Sequence, residues 1–513
     1  MVPIARDGCF FYRKFLFTLD RVSVVAIVLL GALAAHVVSI LRRPYCPPVG
    51  GTSQPCKLNN YHPSAGNNIA GFPMNTASYS SNARVPNNLQ ETRKQFSCHV
   101  RIQKKKIAFF GLFGVGNLGN EITLQTILSH ARKYFPDAEF KCICEDVTDT
   151  SLRYGVPAFP ISILFPRKSA AKWYRRSTNP IIRLLRQLLI GIPMELLDWF
   201  RIFHILIGVN TLIFPGTGYL TDAYSNALGW PYYVFKWSLI ARLLRRKVLF
   251  VSVGAGPIYH PLSRWLIKSA LSLAHYRSFR DTSTLTCLRM IGFSTDNDPV
   301  YPDLVFNLDQ VVLPSPHVYK RPRPVIGIGL MDDPGRYSVE TPNNATHLSY
   351  LHALGTLVHW LLIRDYDVRL LIGDVYDIPV TRHFTELLTQ NGLIGTRGRL
   401  FNEPAASVDQ LLSQIASTDL VVATRFHNVL LSLLLGKPVM GITFHHKGVS
   451  LMTQMGLAEY CLDINTLDAQ RLIQKFCELE NDADRVKSVI KQKTKECREA
   501  LDQQYAAIFL QNV

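Results

Sequence analysis

The chain has 513 residues, 48% hydrophobic and 18% charged, a balance that excludes wholesale disorder, collagen and coiled coil and requires a buried core. Lys and Arg number 56 against 38 Asp and Glu, a net charge of +18, so an anionic partner is expected: nucleic acid, anionic lipid, or a small phosphorylated or carboxylated substrate. Ten cysteines fall far below the density of a disulfide scaffold, and no pair has the Cys-x-x-Cys spacing of a zinc ribbon, so cysteine usage does not set the redox compartment.

Residues 1–21 form a basic segment with Arg6, Arg13, Lys14 and Arg21, and residues 22–41 are an apolar run without Asp, Glu, Lys or Arg. About 20 apolar residues suffice for a helix to cross a bilayer, and the absence of a small-residue cleavage site before Arg42 and Arg43 favours an uncleaved anchor over a signal peptide, with a buried core helix as the third reading. The excess of cations before the span places the N-terminus in the cytoplasm. The body then faces a Golgi-like lumen or the exterior; attachment to the cytoplasmic membrane of a bacterium is the alternative. Residues 42–103, rich in Pro, Asn, Ser and Gly, read as a flexible stem in which Cys46 and Cys56 are able to bridge. Asn344 in Asn344-Ala345-Thr346 is a short glycosylation sequon of the kind that arises by chance.

From Lys104 the pattern changes to alternating strands and helices, which implies parallel sheets. A strand in IAFFGLF (107–113) leads through a glycine turn to a helix, and EFKCICED (139–146), TLIFPGTG (211–218), KVLFVSVGAG (247–256) and YRSFRD (276–281) follow as buried strands, with a helix over Trp230 to Arg246. Between them, residues 172–207 combine Arg175, Arg176, Arg183 and Arg186 with a long apolar complement, read either as a buried or lid-forming helical pair or as a surface for anionic membrane. A proline-rich linker precedes a second series, PVIGIGLMD (324–332), YDVRLLIGD (366–374), DLVVATR (419–425) and KPVMGIT (437–443), and the chain closes with a helix from Asp482 to about Leu510. The expectation is two Rossmann-like doubly wound α/β domains, 104–315 and 316–513, facing a cleft in the GT-B manner. Ligands of such sheets bind beyond the carboxyl ends of the strands.

Those strand ends carry the polar residues. Gly114-Val115-Gly116-Asn117-Leu118-Gly119 matches GxGxxG between a strand and a helix, with Glu145 and Asp146 after the next strand, as in a dinucleotide fold. A glycine turn into a helix N-terminus attracts any anion, and a turn needed only for packing has the same sequence. Gly216, Thr217, Gly218 and Asp222 follow a second strand, Gly254 and Gly256 a third, and Ser278, Arg280 and Asp281 a fourth. In the second half Arg425, Phe426, His427 and Asn428 sit at a strand-to-helix turn, where Arg suits bidentate recognition of carboxylate or phosphate and His suits proton transfer near neutral pH. His445-His446-Lys447 either extends the cationic rim or, as the preferred reading, forms a solvated loop; no third ligand spacing argues for a metal, and scattered cations without a groove-reading motif argue against nucleic acid.

Together, GNLGNE (116–121), PGTGYLTD (215–222), SVGAGP (252–257), SFRD (278–281), YPDL (301–304) and RFHN (425–428) resemble the polysaccharide pyruvyl transferase family in order and spacing over roughly residues 105–460. The resemblance implies a GT-B-like fold and transfer of the enolpyruvyl unit of phosphoenolpyruvate onto two hydroxyls of a glycan, forming a cyclic pyruvate ketal without a separate cofactor or metal. It puts Arg425 and His427 on the family's Arg-x-His pair and Arg280 on the arginine of a Ser-x-Arg-Glu-like segment in which Asp281 replaces Glu. These three are the expected catalytic residues. The expected substrate-binding residues are Gly116, Asn117, Gly119, Asn120, Gly216, Thr217, Gly218, Asp222, Gly254, Gly256, Ser278, Asp281, Phe426 and Asn428. Asn120 stands where many members carry Asp, and Thr217 lies in a segment that is often three glycines. The rival readings are a GT-B glycosyltransferase using a nucleotide sugar, an inactive membrane-tethered glycan-binding protein, and a dehydrogenase that would bind NADH.

Overall fold

A computed structural model describes residues 104–163, 187–223, 225–314, 322–332, 344–390, 398–444 and 446–512. The basic segment, the apolar run at 22–41, the stem, His445 and the arginines from Arg175 to Arg186 lie outside these residues, as does the side chain of Asn344. Among the described residues no helix is long and apolar enough to cross a membrane.

The first half runs β1 (Lys106–Phe110), α1 (Leu118–Tyr134), β2 (Glu139–Cys144), α2 (Val147–Tyr154), β3 (Ala158–Pro160), α3 (Ile192–Leu206), β4 (Thr211–Pro215), α4 (Trp230–Leu243), β5 (Lys247–Val253), α5 (Pro261–Ser272), β6 (Tyr276–Phe279) and α6 (Thr282–Met290). The second runs β7 (Val325–Gly329), α7 (Asn344–Ile363), β8 (Asp367–Leu371), α8 (Ile378–Gln390), β9 (Leu400–Phe401), α9 (Val408–Ala416), β10 (Leu420–Ala423), α10 (Phe426–Leu434), β11 (Val439–Thr443), α11 (His446–Gln454), β12 (Cys461–Asp463), α12 (Ala469–Asn481) and α13 (Ala483–Ala506). Strands such as VIGIG and LVVA are buried along their whole length, because helices cover both faces of the sheet and leave no solvent side to alternate with.

Both sheets are parallel, in the orders β3-β2-β1-β4-β5-β6 and β12-β11-β10-β7-β8-β9. Each order reverses direction beside its first strand, between β1 and β4 and between β7 and β10. The loops there diverge to opposite faces and leave a crevice. The two crevices meet, because Gly116 to Gly119 after β1 lies against residues that follow β8 and β10.

The last helix, α13, returns to the first half. Gln504 donates to Ser278 Oγ (2.6 Å), Asn307 Nδ2 donates to Asp502 Oδ1 (2.7 Å), and the Tyr505 ring stacks on His130 at 4.3 Å. The two halves are therefore joined at the cleft and again behind it.

Candidate active site

The glycine turn after β1 is built as a clasp. Gly114 and Gly116 adopt φ of 79° and 80°, the left-handed region open to glycine. Gly114 N–H donates to Glu121 Oε1 (2.7 Å), and Tyr154 OH donates to the other oxygen (2.8 Å). Burial pushes the Glu121 carboxyl up from its ordinary range. An amide that a bound phosphate would take in a dinucleotide site is thus occupied by the chain's own carboxylate. Asn117 caps α1 by accepting from Asn120 N–H (3.1 Å), which holds Asn120 in a first turn that is largely buried. Across the cleft Asn117 Nδ2 donates to Asp374 Oδ2 (2.8 Å), Leu118 N–H to the Gly373 carbonyl and Val375 N–H to the Gly116 carbonyl (both 3.2 Å). A Cβ on Gly116 would meet Val375 at 2.6 Å. Gly116 and Asn117 therefore join the halves, and the cleft proper begins at Gly119.

The next strand ends supply close packing. Gly216 lets the Ser252 carbonyl approach, since a Cβ there would lie 2.7 Å from it, and Gly256 packs on Thr221. Ser252 has φ of 50° in a bulge of β5, held by its N–H donating to Ser278 Oγ (2.8 Å) and its Oγ donating to Gln504 (3.1 Å). Ser278 is fully buried behind the sheet end by these bonds. Asp222 accepts from the N–H groups of Tyr259 and His260, both at 2.9 Å, and so pins the loop after Gly256. Thr217 is buried, and its hydroxyl lacks a hydrogen-bond partner among the described residues.

Four basic side chains gather around the cleft. Arg280 extends past Gly254, where a Cβ would meet its Nη2 at 2.9 Å; it donates to Asp303 Oδ2 (3.1 Å), pairs with Asp281 (3.5 Å), and places its guanidinium 4.6 Å from the Phe426 ring centroid. Asp281 also caps α6 through Thr284 N–H (2.7 Å). Burial opposes its charge, but Arg280 and the Ser283 and Thr284 donors outweigh burial and hold its carboxyl below the usual range. Burial wins at Asp303, whose carboxyl is pushed up despite Arg280. Arg425 makes a two-point pair with the fully buried Asp377, Nε to Oδ2 at 2.8 Å and Nη2 to Oδ1 at 2.5 Å.

His427, in the first turn of α10, lies on the backbone of Gly119: a Cβ at Gly119 would come within 1.9 Å of the imidazole Nδ1 and 2.0 Å of Cγ. Burial, then Arg280, Arg425 and Lys447, push the His427 imidazole down to about 3, so it is neutral near pH 7 without a bound anion. Lys447, in the first turn of α11, reaches Gly218, where a Cβ would lie 2.7 Å from Nζ. Burial and Arg280 lower its ammonium to about 8, against the pull of Asp281 and Cys287. The expected solvated loop at Lys447 is corrected by this placement: the lysine lines a cavity with Arg280, Asp281, Asp303, Phe426, Leu451 and Gln454. Asn428 is fully buried against Gly329 and Gly373, with both amide atoms lacking hydrogen-bond partners among the described residues.

Of the residues expected from sequence, Gly119, Gly218, Gly254, Arg280, Asp281, Phe426 and His427 converge at the cleft. Gly116, Asn117, Gly216, Gly256, Asp222 and Ser278 hold loops and strand ends around it. Asp303, Asp374, Asp377 and Lys447 are additions of the structure. Asp303 stands in the YPDL segment noted in sequence, whereas Asp374 and Asp377 follow β8 with nothing local to mark them. Chemically, the cleft offers positive charge for an anionic group, an imidazole held neutral, and an aromatic face.

The family description polysaccharide pyruvyl transferase matches residues 117–446. Among solved structures, a putative UDP-N-acetylglucosamine 2-epimerase from Listeria monocytogenes is 11% identical with a TM-score of 0.52, over 79% of this chain and 96% of that one. A protein of Anabaena in complex with UDP and glucose is 13% identical with a TM-score of 0.48, over 79% of this chain and 100% of its own. The first likeness supports the two-domain GT-B-like fold and nothing finer. A search of curated protein sequences gave no match. The family match spans more than half of the 513 residues and contains every expected site residue from Asn117 to Asn428, and on that ground the chain belongs to the polysaccharide pyruvyl transferase family.

Proposed function

We propose that the protein transfers the enolpyruvyl unit of phosphoenolpyruvate onto two hydroxyls of a glycan, releasing phosphate and leaving a pyruvate ketal. The observation that carries this reading is the convergence of Arg280, Arg425 and Lys447 around a neutral His427 at the meeting point of the two switch points. Phosphoenolpyruvate brings a carboxylate and a phosphate, and its charge offsets the three cations that, after burial, hold the imidazole neutral. Binding the donor therefore raises the proton affinity of His427 and converts it into the general acid.

In the scheme His427 protonates the methylene carbon, and C2 becomes oxocarbenium-like. One sugar hydroxyl adds to C2, phosphate leaves, and a second hydroxyl closes the ring. One hydroxyl proton restores His427 and the other leaves with phosphate, so the reaction balances without metal or nucleotide. Lys447 and Arg280 bind the anionic groups. Arg425, oriented by Asp377, supplies the positive field beside the imidazole. The apolar run at 22–41 tethers the enzyme to a membrane with the body on the lumenal or exterior side.

Thermal unfolding of the full chain in detergent tests the donor, because a ligand that binds only the native state raises the midpoint. A rise with phosphoenolpyruvate, abolished in Lys447→Ala, supports pyruvyl transfer. A rise only with UDP- or GDP-sugars replaces it with glycosyl transfer, and a rise only with NADH with hydride transfer.

A further inference from the structure

Helix α3 is turned inside out. Its charged residues face the protein: Lys236 of α4, fully buried, donates to Glu195 Oε1 (2.6 Å) and Asp198 Oδ2 (2.8 Å), and Arg201 pairs with Asp198 (2.7 Å) while donating to the Pro160 carbonyl (2.8 Å). Trp199 Nε1 adds bonds to Glu195 (3.0 Å) and Tyr232 (3.1 Å). The outward stripe is apolar apart from His204, whose ring packs edge-on against Phe200 and Phe203: Leu196, Leu197, Phe200, Phe203 and Ile207 stand in solvent at helical spacing, with Phe200 62% exposed, and Leu189 and Ile190 extend it one turn back. Of the twenty large hydrophobic residues exposed among the described residues, seven lie in this one stretch, so they form a face and not scattered exposure. The inward ion pairs fix the helix in this orientation, since rolling it over would bury the stripe only by breaking Lys236 from both its carboxylates.

We propose that this face docks on the surface of an anionic lipid bilayer, with α3 lying in the plane of the interface. Three observations select lipid. The two acids of α3 are turned inward and paired, so no carboxylate on the stripe opposes an anionic headgroup. By composition the sequence immediately before it, residues 164–187, holds seven Lys and Arg and no Asp or Glu, so the charge of the chain next to the stripe is complementary to an anionic headgroup. The chain also enters the body beside the foot of this helix, because Asn210, three residues past Ile207, accepts from Lys106 N–H (2.7 Å) and donates back to the Lys106 carbonyl (2.8 Å). A tether that begins at that point starts a few residues from this face.

The test places the photoreactive residue p-benzoylphenylalanine at position 200 of the full chain, reconstituted in phosphatidylcholine vesicles with or without phosphatidylglycerol, with Met290, an exposed apolar residue on α6, as the control position. The adduct is identified by mass spectrometry after irradiation. A lipid adduct at position 200, several-fold above that at 290 and raised by phosphatidylglycerol, is expected, and Leu197→Glu should abolish it while leaving the unfolding midpoint within error. An adduct to residues 164–186 of the same chain, an adduct to a second copy, or equal lipid labelling at 200 and 290 would each overturn the proposal.

Discussion

The imidazole of His427 rests on the backbone of Gly119, so that the first turn of a helix in one domain serves as the floor for the first turn of a helix in the other. Any side chain at 119 would displace the ring. Gly119→Ala should therefore cut turnover by at least about 100-fold, the order expected when a catalytic group is misplaced by about 1 Å. The overpacking should cost about 1–3 kcal/mol. Gly208→Ala, where the nearest atom to the added carbon is Lys106 Cδ at 3.9 Å, is the control that should keep full turnover. Steady-state kinetics and urea unfolding check both.

Asp377 and Arg425 form a largely buried two-point pair, so removing the carboxylate takes away the two bonds that orient the cation beside His427. Asp377→Ala should destabilise the fold by about 3–5 kcal/mol in urea unfolding, the range for breaking one partner of a buried pair. Asp377→Asn keeps the shape without the charge. It should fold, but with a weakened grip on the guanidinium, and its kcat should fall more than its KM rises.

His427 stays neutral because burial and three cations oppose its proton, and the sign of the pH effect follows. Unfolded imidazole titrates near 6.5 and the folded one near about 3, so the stability this group contributes is complete above about 6.5 and is lost as pH falls toward the folded value. Over that window wild type should lose up to about 1.4 kcal/mol per pH unit that His427→Gln does not lose. Calorimetry at pH 7 in buffers of different ionisation enthalpy should further show uptake of a proton when phosphoenolpyruvate binds wild type, and none with the variant. Binding without proton uptake would remove the general-acid role.

Lys447 is held near pH 8 by burial and Arg280, so its charge is only partly retained in mildly alkaline solution. If the ammonium binds the donor, affinity for phosphoenolpyruvate measured in a His427→Gln background, where the imidazole takes up no proton, should be flat below about pH 8 and weaken by up to about tenfold per pH unit above it. Lys447→Met should show weak affinity with no such break. A His427→Gln profile flat to pH 9.5 would place the lysine outside the donor site.

Much of the architecture was legible because it rests on local patterns. Apolar runs such as IAFF and LVVA end in glycine or in Thr424-Arg425, and a run of that length followed by a helical period has few alternatives to a βα unit. Trp230 to Leu243 forms the expected helix, which stops short of Arg246 where Arg245 turns to φ 58°. The convergence of Arg280 and His427 was legible only through the family motifs, since nothing local in SFRD or RFHN says that the two segments meet. For Lys447 the solvated loop was preferred over a place on the cationic rim because a His-His-Lys run after a strand has the composition of a solvated loop. Its burial comes from Gly218 and Arg280, which belong to the other domain.

By itself the sequence determined the two parallel α/β halves, the glycine-rich strand ends and the excess of positive charge, because hydrophobic period, turn chemistry and net charge are properties of neighbouring residues. The tertiary structure alone decided which of those residues face one another. Gly114 spends its amide on Glu121, Asn117 reaches Asp374, Arg425 is oriented by Asp377, and α3 turns its carboxylates inward to Lys236. Each of these pairings joins groups that approach only after the sheets have formed and packed. Whether a polar side chain is a ligand, a clasp or a buried counter-ion depends on the partner it finds there.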